Sequence, residues 1–328
     1  MEEIFDISIV GGGPAGMFAA FYAGIRGMNF KIIDSLEALG GQVSAMYPEK
    51  DIFDVAGFPR VPGKELVKQL ETQLMRFKPP LALGEKVLSV VKRPDNVFEL
   101  TTQNGKKHFS KTVLLTLGMG SFTPKKHPNP ELVPFEGKGV NYGVLSMEPF
   151  KGKDVLVVGG GDSAIDWALM LEPIAHSVTL IHRRDEFRAH ESSVQKLKAS
   201  SVKVKLWYEL RTVKGKDHVE EAVIYENHTN QDETIKADFV VLNFGFQATL
   251  GFLKEWGLTL EKNKIPVTPK METNIPGIYA AGDIVTHPGK LDLIATGFAE
   301  GATAVNFAKT FINPHEKAEP GHSSNLKW

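Results

Sequence analysis

Two glycine-rich stretches of similar pattern lie far apart in the chain. The first reads Val-Gly-Gly-Gly-Pro-Ala-Gly at residues 10–16, and the second reads Val-Gly-Gly-Gly-Asp-Ser-Ala at residues 158–164. Glycines in this pattern let the backbone come close to a pyrophosphate, and a helix that begins there offers free N–H groups and partial positive charge. The pattern indicates dinucleotide binding only where a strand precedes it, a helix follows it, and a suitable residue ends the next strand.

The sequence around the first stretch meets these conditions. Residues 6–10 are a short run rich in β-branched apolar residues, which is typical of a buried parallel strand. Pro14 suits the first turn of a helix, which we expect to run to about Gly27. A second strand is predicted at residues 30–33 and ends at Asp34, whose carboxylate can accept hydrogen bonds from a ribose diol. A purely structural βαβ unit without a ligand is the alternative interpretation.

The second stretch has the same surroundings but a different residue type at the ribose-reading position. Strands are predicted at residues 154–158 and 177–181, with a helix between them that stops near Pro173. The second strand leads into His182-Arg183-Arg184, and Arg188 follows one turn later. A carboxylate there would repel a 2′-phosphate, whereas guanidinium groups can bind one bidentately. This half is therefore predicted to bind NADP(H), and a solvated basic surface patch is the alternative.

Composition excludes several other kinds of chemistry. The 328 residues include no cysteine, which rules out disulfides, cysteine-ligated metals and a catalytic thiol in this chain. The ten histidines show no metal-ligand spacing, and no metal site is expected. The formal net charge of −1 favours neither nucleic acid nor an anionic membrane as a partner. With an acidic start and no apolar run of the ~18 residues that a membrane span needs, the protein is expected to be cytoplasmic.

The order of the predicted elements indicates one domain inserted into another. A short strand around residues 278–281, the Gly282-Asp283 pair and a helix from Leu293 to about Lys309 form the last βα unit of the first domain. The crossing stretches at residues 115–118 and 242–245 resemble each other and suit hinges. The expected fold class is α/β, with two Rossmann-like, three-layer dinucleotide-binding domains. Residues 1–116 and 246–328 form the first domain and residues 117–245 the second. Alternating stretches at 87–100 and 202–224 predict small antiparallel additions.

These motifs, in this order, resemble the thioredoxin-reductase-like flavoproteins over essentially the whole chain. The resemblance rests on both glycine stretches, on Gly40-Gly41-Gln42, on His-Arg-Arg at 182–184 and on Ala-Gly-Asp at 281–283. Thioredoxin reductases carry Cys-x-x-Cys just before the second glycine stretch, where this chain reads Asn-Tyr-Gly-Val-Leu-Ser at residues 141–146. Without those sulfurs, reduction of thioredoxin is excluded.

Within that group the chain is most similar to the cysteine-free ferredoxin/flavodoxin–NADP+ reductases. The similarity is carried by residues 40–50 (Gly-Gly-Gln-Val-Ser-Ala-Met-Tyr-Pro-Glu-Lys), by residues 160–173 and 182–190, and by Pro-Gly-His-Ser-Ser at 320–324. The resemblance implies FAD in the first site, a homodimer, and ferredoxin or flavodoxin as a transient partner. It implies hydride transfer from NADPH to the flavin N5 and one-electron delivery to the carrier, with no acid–base residue.

Motifs and resemblance together give the expected site residues. Those expected to bind FAD are Gly11, Gly13, Ala15, Gly16, Asp34, Gln42, Tyr47, Val87, Phe122, Asp283 and Ser324. Those expected to bind NADP(H) are Gly159, Gly161, Asp162, Ser163, Ala164, His182, Arg183, Arg184 and Arg188.

The resemblance also implies individual roles. Asp34 would hold the adenosine ribose, Gln42 would lie at the flavin region, and Asp283 would bind the ribityl chain. Val87 would meet the adenine through its backbone. Tyr47 would stack on one face of the flavin ring.

The resemblance assigns the remaining flavin contacts to a residue just after the first crossing and to the C-terminal tail. His322, from the other protomer, would cover the face of the flavin opposite Tyr47, and Ser324 would hydrogen-bond near the ring. Phe122 would lie beside the flavin. Tyr47 and Phe122 could equally be ordinary core aromatics.

Two other functions remain open at this point. One is an NADPH-dependent reductase of a diffusible quinone or low-molecular-weight disulfide. The other is a non-enzymatic redox-sensing protein that keeps the dinucleotide-binding fold.

Overall fold

The computed structural model of the chain describes residues 2–319, with the side chains of residues 121–123 and 246–249 left undescribed. Its strands are β1 (Ile4–Val10), β2 (Phe30–Ile33), β3 (Asp51–Ile52), β4 (Val61–Pro62), β5 (Leu81–Ala82), β6 (Val87–Lys92), β7 (Phe98–Thr102), β8 (Lys107–Leu115), β9 (Ser121–Pro124), β10 (Val140–Asn141), β11 (Asp154–Val158), β12 (Ser177–His182), β13 (Lys203–Leu206), β14 (Tyr208–Lys214), β15 (Glu221–Glu226), β16 (Asp232–Lys236), β17 (Phe239–Leu242), β18 (Phe246–Thr249), β19 (Ile265–Pro266), β20 (Ile278–Ala280) and β21 (Val285–Thr286). Its α-helices are α1 (Pro14–Ile25), α2 (Gly41–Met46), α3 (Gly63–Leu74), α4 (Asp162–Leu171), α5 (Glu191–Ala199), α6 (Phe252–Glu255) and α7 (Ile294–Ile312).

The chain divides into two compact units. The first unit is Met1–Phe122 together with Ala248–Trp328, and the second is Thr123–Gln247. The divisions fall in β9 and β18, a few residues later in the sequence than the expected boundaries.

The first unit is built on a parallel sheet in which β1 lies between β2 and β8. Ile9 of β1 pairs with Ile32 on one side and Leu114 on the other, and all three are buried. Strand β8 also pairs in parallel with β20 near its end and antiparallel with β7 near its start. The end of the chain therefore completes a sheet that the beginning starts.

Two apolar layers enclose this sheet. Helices α1, α3 and α7 supply most of one layer, including Met17, Leu66 and Val305. The antiparallel pair β6–β7 and the segment around α6 supply the other, including Phe98 and Trp256. Helix α1 ends at Ile25, two residues before the expected end, because Arg26 and Gly27 form a turn in which Gly27 has φ +62°.

The second unit repeats the plan on a smaller scale. Its parallel sheet has the order β10-β17-β11-β12-β13, and Val158 of β11 lies between Ile181 and Leu242. A separate antiparallel sheet of β14, β15 and β16 shares its core with the parallel sheet. Among residues 2–319, no helix is both long and apolar enough to span a membrane.

Candidate functional site

The first glycine turn is closely packed at two of its motif positions. Gly11 has φ +111°, and a Cβ atom there would overlap the Thr116 carbonyl oxygen. A Cβ atom on Gly16 would overlap the Gly11 carbonyl oxygen. The Thr116 hydroxyl donates to that same carbonyl oxygen at 2.7 Å. These two glycines are therefore required by the packing of the protein itself.

Gly13 is different, because the space beside it is open. Its φ of −71° suits any residue, and the nearest described atom to an added Cβ would be the Gly41 Cα at 3.9 Å. Gly13 is the N-cap of α1, and no side chain caps the N–H groups of that helix end. An uncapped helix N-terminus facing open space is a site for an anion such as a pyrophosphate.

Ala15 and Asp34 flank this helix end. Ala15 lies where α1 meets α7. A Cβ added to Gly297 of α7 would lie 3.1 Å from the Ala15 Cβ. The Asp34 side chain is buried at the end of β2; one of its carboxylate oxygens accepts the Gly12 N–H and the other accepts the Leu36 N–H at 2.8 Å. Burial raises the pKa of Asp34, and these N–H groups oppose part of that rise. The carboxylate is thus fixed in contact with the glycine turn.

Tyr47 and Asp283 come from distant parts of the sequence, and the charge of Asp283 acts on the Tyr47 phenol. Tyr47 directly follows α2, and burial raises its pKa, as do the carboxylates of Asp283 and Asp54. No other described residue donates a hydrogen bond to Asp283, whose pKa is raised by burial and by Asp292. Asp283 is therefore a carboxylate with free acceptor capacity at the carboxyl edge of the sheet.

The surroundings of Gln42 and Val87 are given by neighbouring contacts in the first unit. The Gln42 amide nitrogen approaches Gly118, within 2.8 Å of where a Cβ would lie. Val87 begins β6 two residues after Glu85, whose N–H donates to the Asp34 carbonyl oxygen at 2.8 Å. The Phe122 side chain is not described, and His322 and Ser324 lie outside the described residues. The roles assigned to these residues stay predictions.

The sequence motifs did not predict a buried cluster of charged residues that lies beside Asp283. Glu300 of α7 accepts the Gly282 N–H at 2.8 Å, and its carboxylate also pairs with Lys290 at 2.9 Å and with His287 at 3.1 Å. The Lys290 and Glu300 side chains are 6% and 8% exposed. The sequence contains one indication of this cluster: Glu300 is the single carboxylate in α7, a helix otherwise rich in Ala, Gly and Phe.

The second glycine turn repeats the contrast between closed and open positions. A Cβ on Gly159 would lie 2.9 Å from the Asn243 carbonyl oxygen and 3.0 Å from the Cβ of Ala164, and one on Gly160 would overlap the His182 ring. A Cβ on Gly161 would meet nothing within 4 Å. Gly161 is the N-cap of α4, which again has no side-chain cap.

The segment after β12 is held against this turn. The Arg188 N–H donates to the Gly160 carbonyl oxygen at 2.7 Å, and Asp162 accepts the His190 N–H at 2.9 Å. The buried His182 ring stacks on Phe187 with a centroid distance of 5.3 Å. The Asp162 side chain and the Gly160 carbonyl oxygen therefore tie this segment to the glycine turn.

Three arginines gather around His182 with their side chains exposed. Burial lowers the pKa of His182; a hydrogen bond to the Glu186 carbonyl opposes this, and the charges of Arg183, Arg184 and Arg188 lower it further. Within the described part of the chain, none of these three guanidinium groups forms an ion pair with a carboxylate. Ser163, the other polar residue of the helix end, is exposed as well. The arrangement leaves positive charge free for an external anion.

Known oxidoreductases are similar to this chain over most of its length. Residues 5–301 match the pyridine nucleotide-disulphide oxidoreductase family. A ferredoxin–NADP reductase of Symbiobacterium thermophilum is 53% identical, covering 99% of this chain and 98% of that protein, and one of Geobacillus thermodenitrificans is 51% identical with the same coverage. Among solved structures, T. acidophilum thioredoxin reductase is 26% identical with a TM-score of 0.77, covering 96% of this chain and 100% of that one.

Proposed function

Because the chain belongs to the pyridine nucleotide-disulphide oxidoreductase family, in its ferredoxin–NADP reductase branch, we propose that it transfers electrons between NADPH and ferredoxin through FAD. The observation that carries the proposal is the pair of open, uncapped glycine turns, one beside the Asp34 carboxylate and the other beside unpaired arginines. With no cysteine in the chain, electrons cannot leave through a disulfide of this protein. A one-electron carrier is the acceptor that the similarity to ferredoxin–NADP reductases favours.

The first unit holds the FAD. Gly13 leaves room for the pyrophosphate at the α1 N-terminus, Asp34 accepts from the adenosine ribose, and Asp283 offers a carboxylate without a donor. When bound, FAD supplies the ability to accept a hydride at N5 and to release electrons one at a time. The protein orients the two nucleotides and needs no general acid or base.

Tyr47 would stack on one face of the flavin ring. Since its pKa is raised, the phenol stays neutral and adds no charge beside the ring. Gln42 and Phe122 would line the flavin region, and the backbone of Val87 would meet the adenine. His322 of the other protomer would cover the opposite face, with Ser324 near the ring; these two residues and the Phe122 side chain lie outside what the structure describes. A homodimer, flavodoxin as a second carrier and a cytoplasmic location are further predictions.

The second unit holds NADPH, whose 2′-phosphate contacts Arg183 and Arg184. Changing both to alanine should raise the NADPH Michaelis constant roughly tenfold to a hundredfold, for a loss of about 1.5–3 kcal/mol, and leave that for NADH nearly unchanged. Lys198→Ala, which removes an exposed cation on α5, is the matched control. An unchanged ratio of the two constants would mean that the 2′-phosphate is bound elsewhere, with Arg188 tested next.

Stopped-flow mixing tests the acceptor. Protein reduced with NADPH is mixed with ferredoxin, flavodoxin or a quinone, and flavin absorbance follows its reoxidation. Ferredoxin should reoxidise the protein fastest. Faster reoxidation by the quinone or by a low-molecular-weight disulfide would reject the proposal in favour of a reductase of diffusible acceptors.

A further inference from the structure

Trp207 has an unusual backbone conformation beside the arginine segment. The register between β12 and β13 pairs His182 with Leu206, so the next residues, Arg183 and Trp207, both lie at the carboxyl edge of the sheet. Trp207 has φ +66°, a region that bulky residues rarely adopt. Such conformations persist where surrounding contacts hold them, and they gather at functional sites.

Asn227 supplies the contact that joins these two residues. Its backbone N–H donates to the Trp207 carbonyl oxygen at 2.8 Å, and its side-chain amide donates to the Arg183 carbonyl oxygen at 2.8 Å. Asn227 lies in the turn between β15 and β16, in the antiparallel sheet. One side chain of that sheet therefore fixes the backbone of an arginine in the nucleotide-binding sheet.

The turn that carries Asn227 is itself well held. The Glu226 carboxylate accepts the His228 N–H at 3.1 Å and the Thr229 N–H at 2.7 Å. It also pairs with the His228 ring at 2.9 Å, and that ring packs on Trp207 with a centroid distance of 4.4 Å. These contacts hold the turn in place, so Asn227 can fix the position of the Arg183 backbone.

We propose that Asn227 is a positioning residue that sets the preference for the 2′-phosphate by fixing the Arg183 backbone. The Arg183 side chain is exposed and forms no ion pair with any residue of the described range 2–319, and the Asn227 hydrogen bond holds the backbone from which that side chain extends. An arginine on a looser segment would lose more conformational freedom on binding. This inference rests on the proposed binding of NADPH by the arginines.

The test measures ligand binding to the FAD-loaded protein by titration calorimetry. The probes are adenosine 2′,5′-bisphosphate, which carries the 2′-phosphate, and AMP, which lacks it. Asn227→Ala should weaken binding of the bisphosphate roughly threefold to tenfold, as expected for one lost hydrogen bond, and leave AMP binding unchanged. Gln231→Ala, an exposed position in the same turn, should change neither.

A double-mutant comparison separates this inference from the proposed function. Arg183→Ala should weaken binding of the bisphosphate, and adding Asn227→Ala should then have no further effect. If Arg183→Ala has no effect, the proposed role of the arginine fails. If Arg183→Ala weakens binding of the bisphosphate while Asn227→Ala does not, the positioning role is overturned. It is also overturned if Asn227→Ala weakens binding of the bisphosphate and of AMP equally.

Discussion

Gly13 and Gly16 belong to one motif, but the structure gives them different reasons for being glycine. An alanine at Gly16 would drive its Cβ into the Gly11 carbonyl oxygen, within the protein itself. An alanine at Gly13 would meet only the Gly41 Cα, at 3.9 Å, and its backbone already has φ −71°. Gly13→Ala should therefore leave the protein fold intact and exclude the FAD pyrophosphate, whereas Gly16→Ala should damage the fold.

The expected changes in stability differ in size. Gly→Ala at a compatible backbone position stabilises by about 0.4–1 kcal/mol, but alanine is a poorer N-cap than glycine by a similar amount, so the flavin-free Gly13→Ala protein should melt within about 3 °C of wild type. Crowding the ligand with an extra methyl group should cost about 1–3 kcal/mol of binding, which raises the FAD dissociation constant roughly 5- to 150-fold. Gly16→Ala should cost about 1–3 kcal/mol of folding and lower the melting temperature by roughly 2–10 °C.

The assay uses wild type and both variants after removal of FAD. Thermal unfolding of each is followed by circular dichroism, and FAD is then titrated in while its fluorescence is recorded. Gly16→Ala is the matched control for an alanine in the same turn. The reasoning is refuted if flavin-free Gly13→Ala melts as low as Gly16→Ala, or if Gly13→Ala binds FAD as tightly as wild type.

Two further predictions concern the buried carboxylates Glu300 and Asp154, and a third concerns the C-terminal tail. Glu300→Ala leaves the buried Lys290 ammonium unpaired and should destabilise the protein by about 3–5 kcal/mol in urea unfolding; adding Lys290→Met should restore part of this, and no recovery would contradict it. Burial raises the pKa of Asp154, but hydrogen bonds from His176, Ser177 and Lys236 outweigh it and hold the pKa below the ordinary 3.8. Its stabilisation is therefore present above that pH and lost as pH falls below it, and Asp154→Asn should remove about 1 kcal/mol of acid sensitivity between pH 6 and pH 3; an unchanged pH dependence of the urea midpoint would count against this. Deleting residues 315–328 should leave FAD bound and speed oxidation of the reduced flavin by oxygen, and an unchanged oxidation rate would reject a role for the tail.

Much of this fold could be read from local patterns. The apolar runs at residues 6–10, 30–33, 154–158 and 177–181 lie in strands, because buried parallel strands need continuous apolar sequence. The α/β fold class and the reductase family are confirmed, since both rest on motifs that keep their spacing along the chain.

The contacts that local patterns miss join distant residues. Asn227 and Arg183 are 44 positions apart, and their hydrogen bond depends on how the turn between β15 and β16 lies beside β12. The pairing of Glu300 with Lys290 and Gly282 depends on how α7 packs over the end of β20. Neither arrangement has a periodicity or spacing that a sequence could display.

The divided first unit has a consequence for the order of folding during synthesis. Strand β8 pairs with β20, and helix α1 packs against α7. These contacts cannot be complete until α7, which ends at Ile312, has been synthesised. At a synthesis rate of about 5–20 residues per second, the roughly 190 residues from Phe122 to Ile312 take roughly 10–40 s to emerge. The second unit is continuous in sequence and can fold during that interval. We expect the later-starting unit to reach its native state first, while the earlier segment depends on delayed, long-range contacts and folds last.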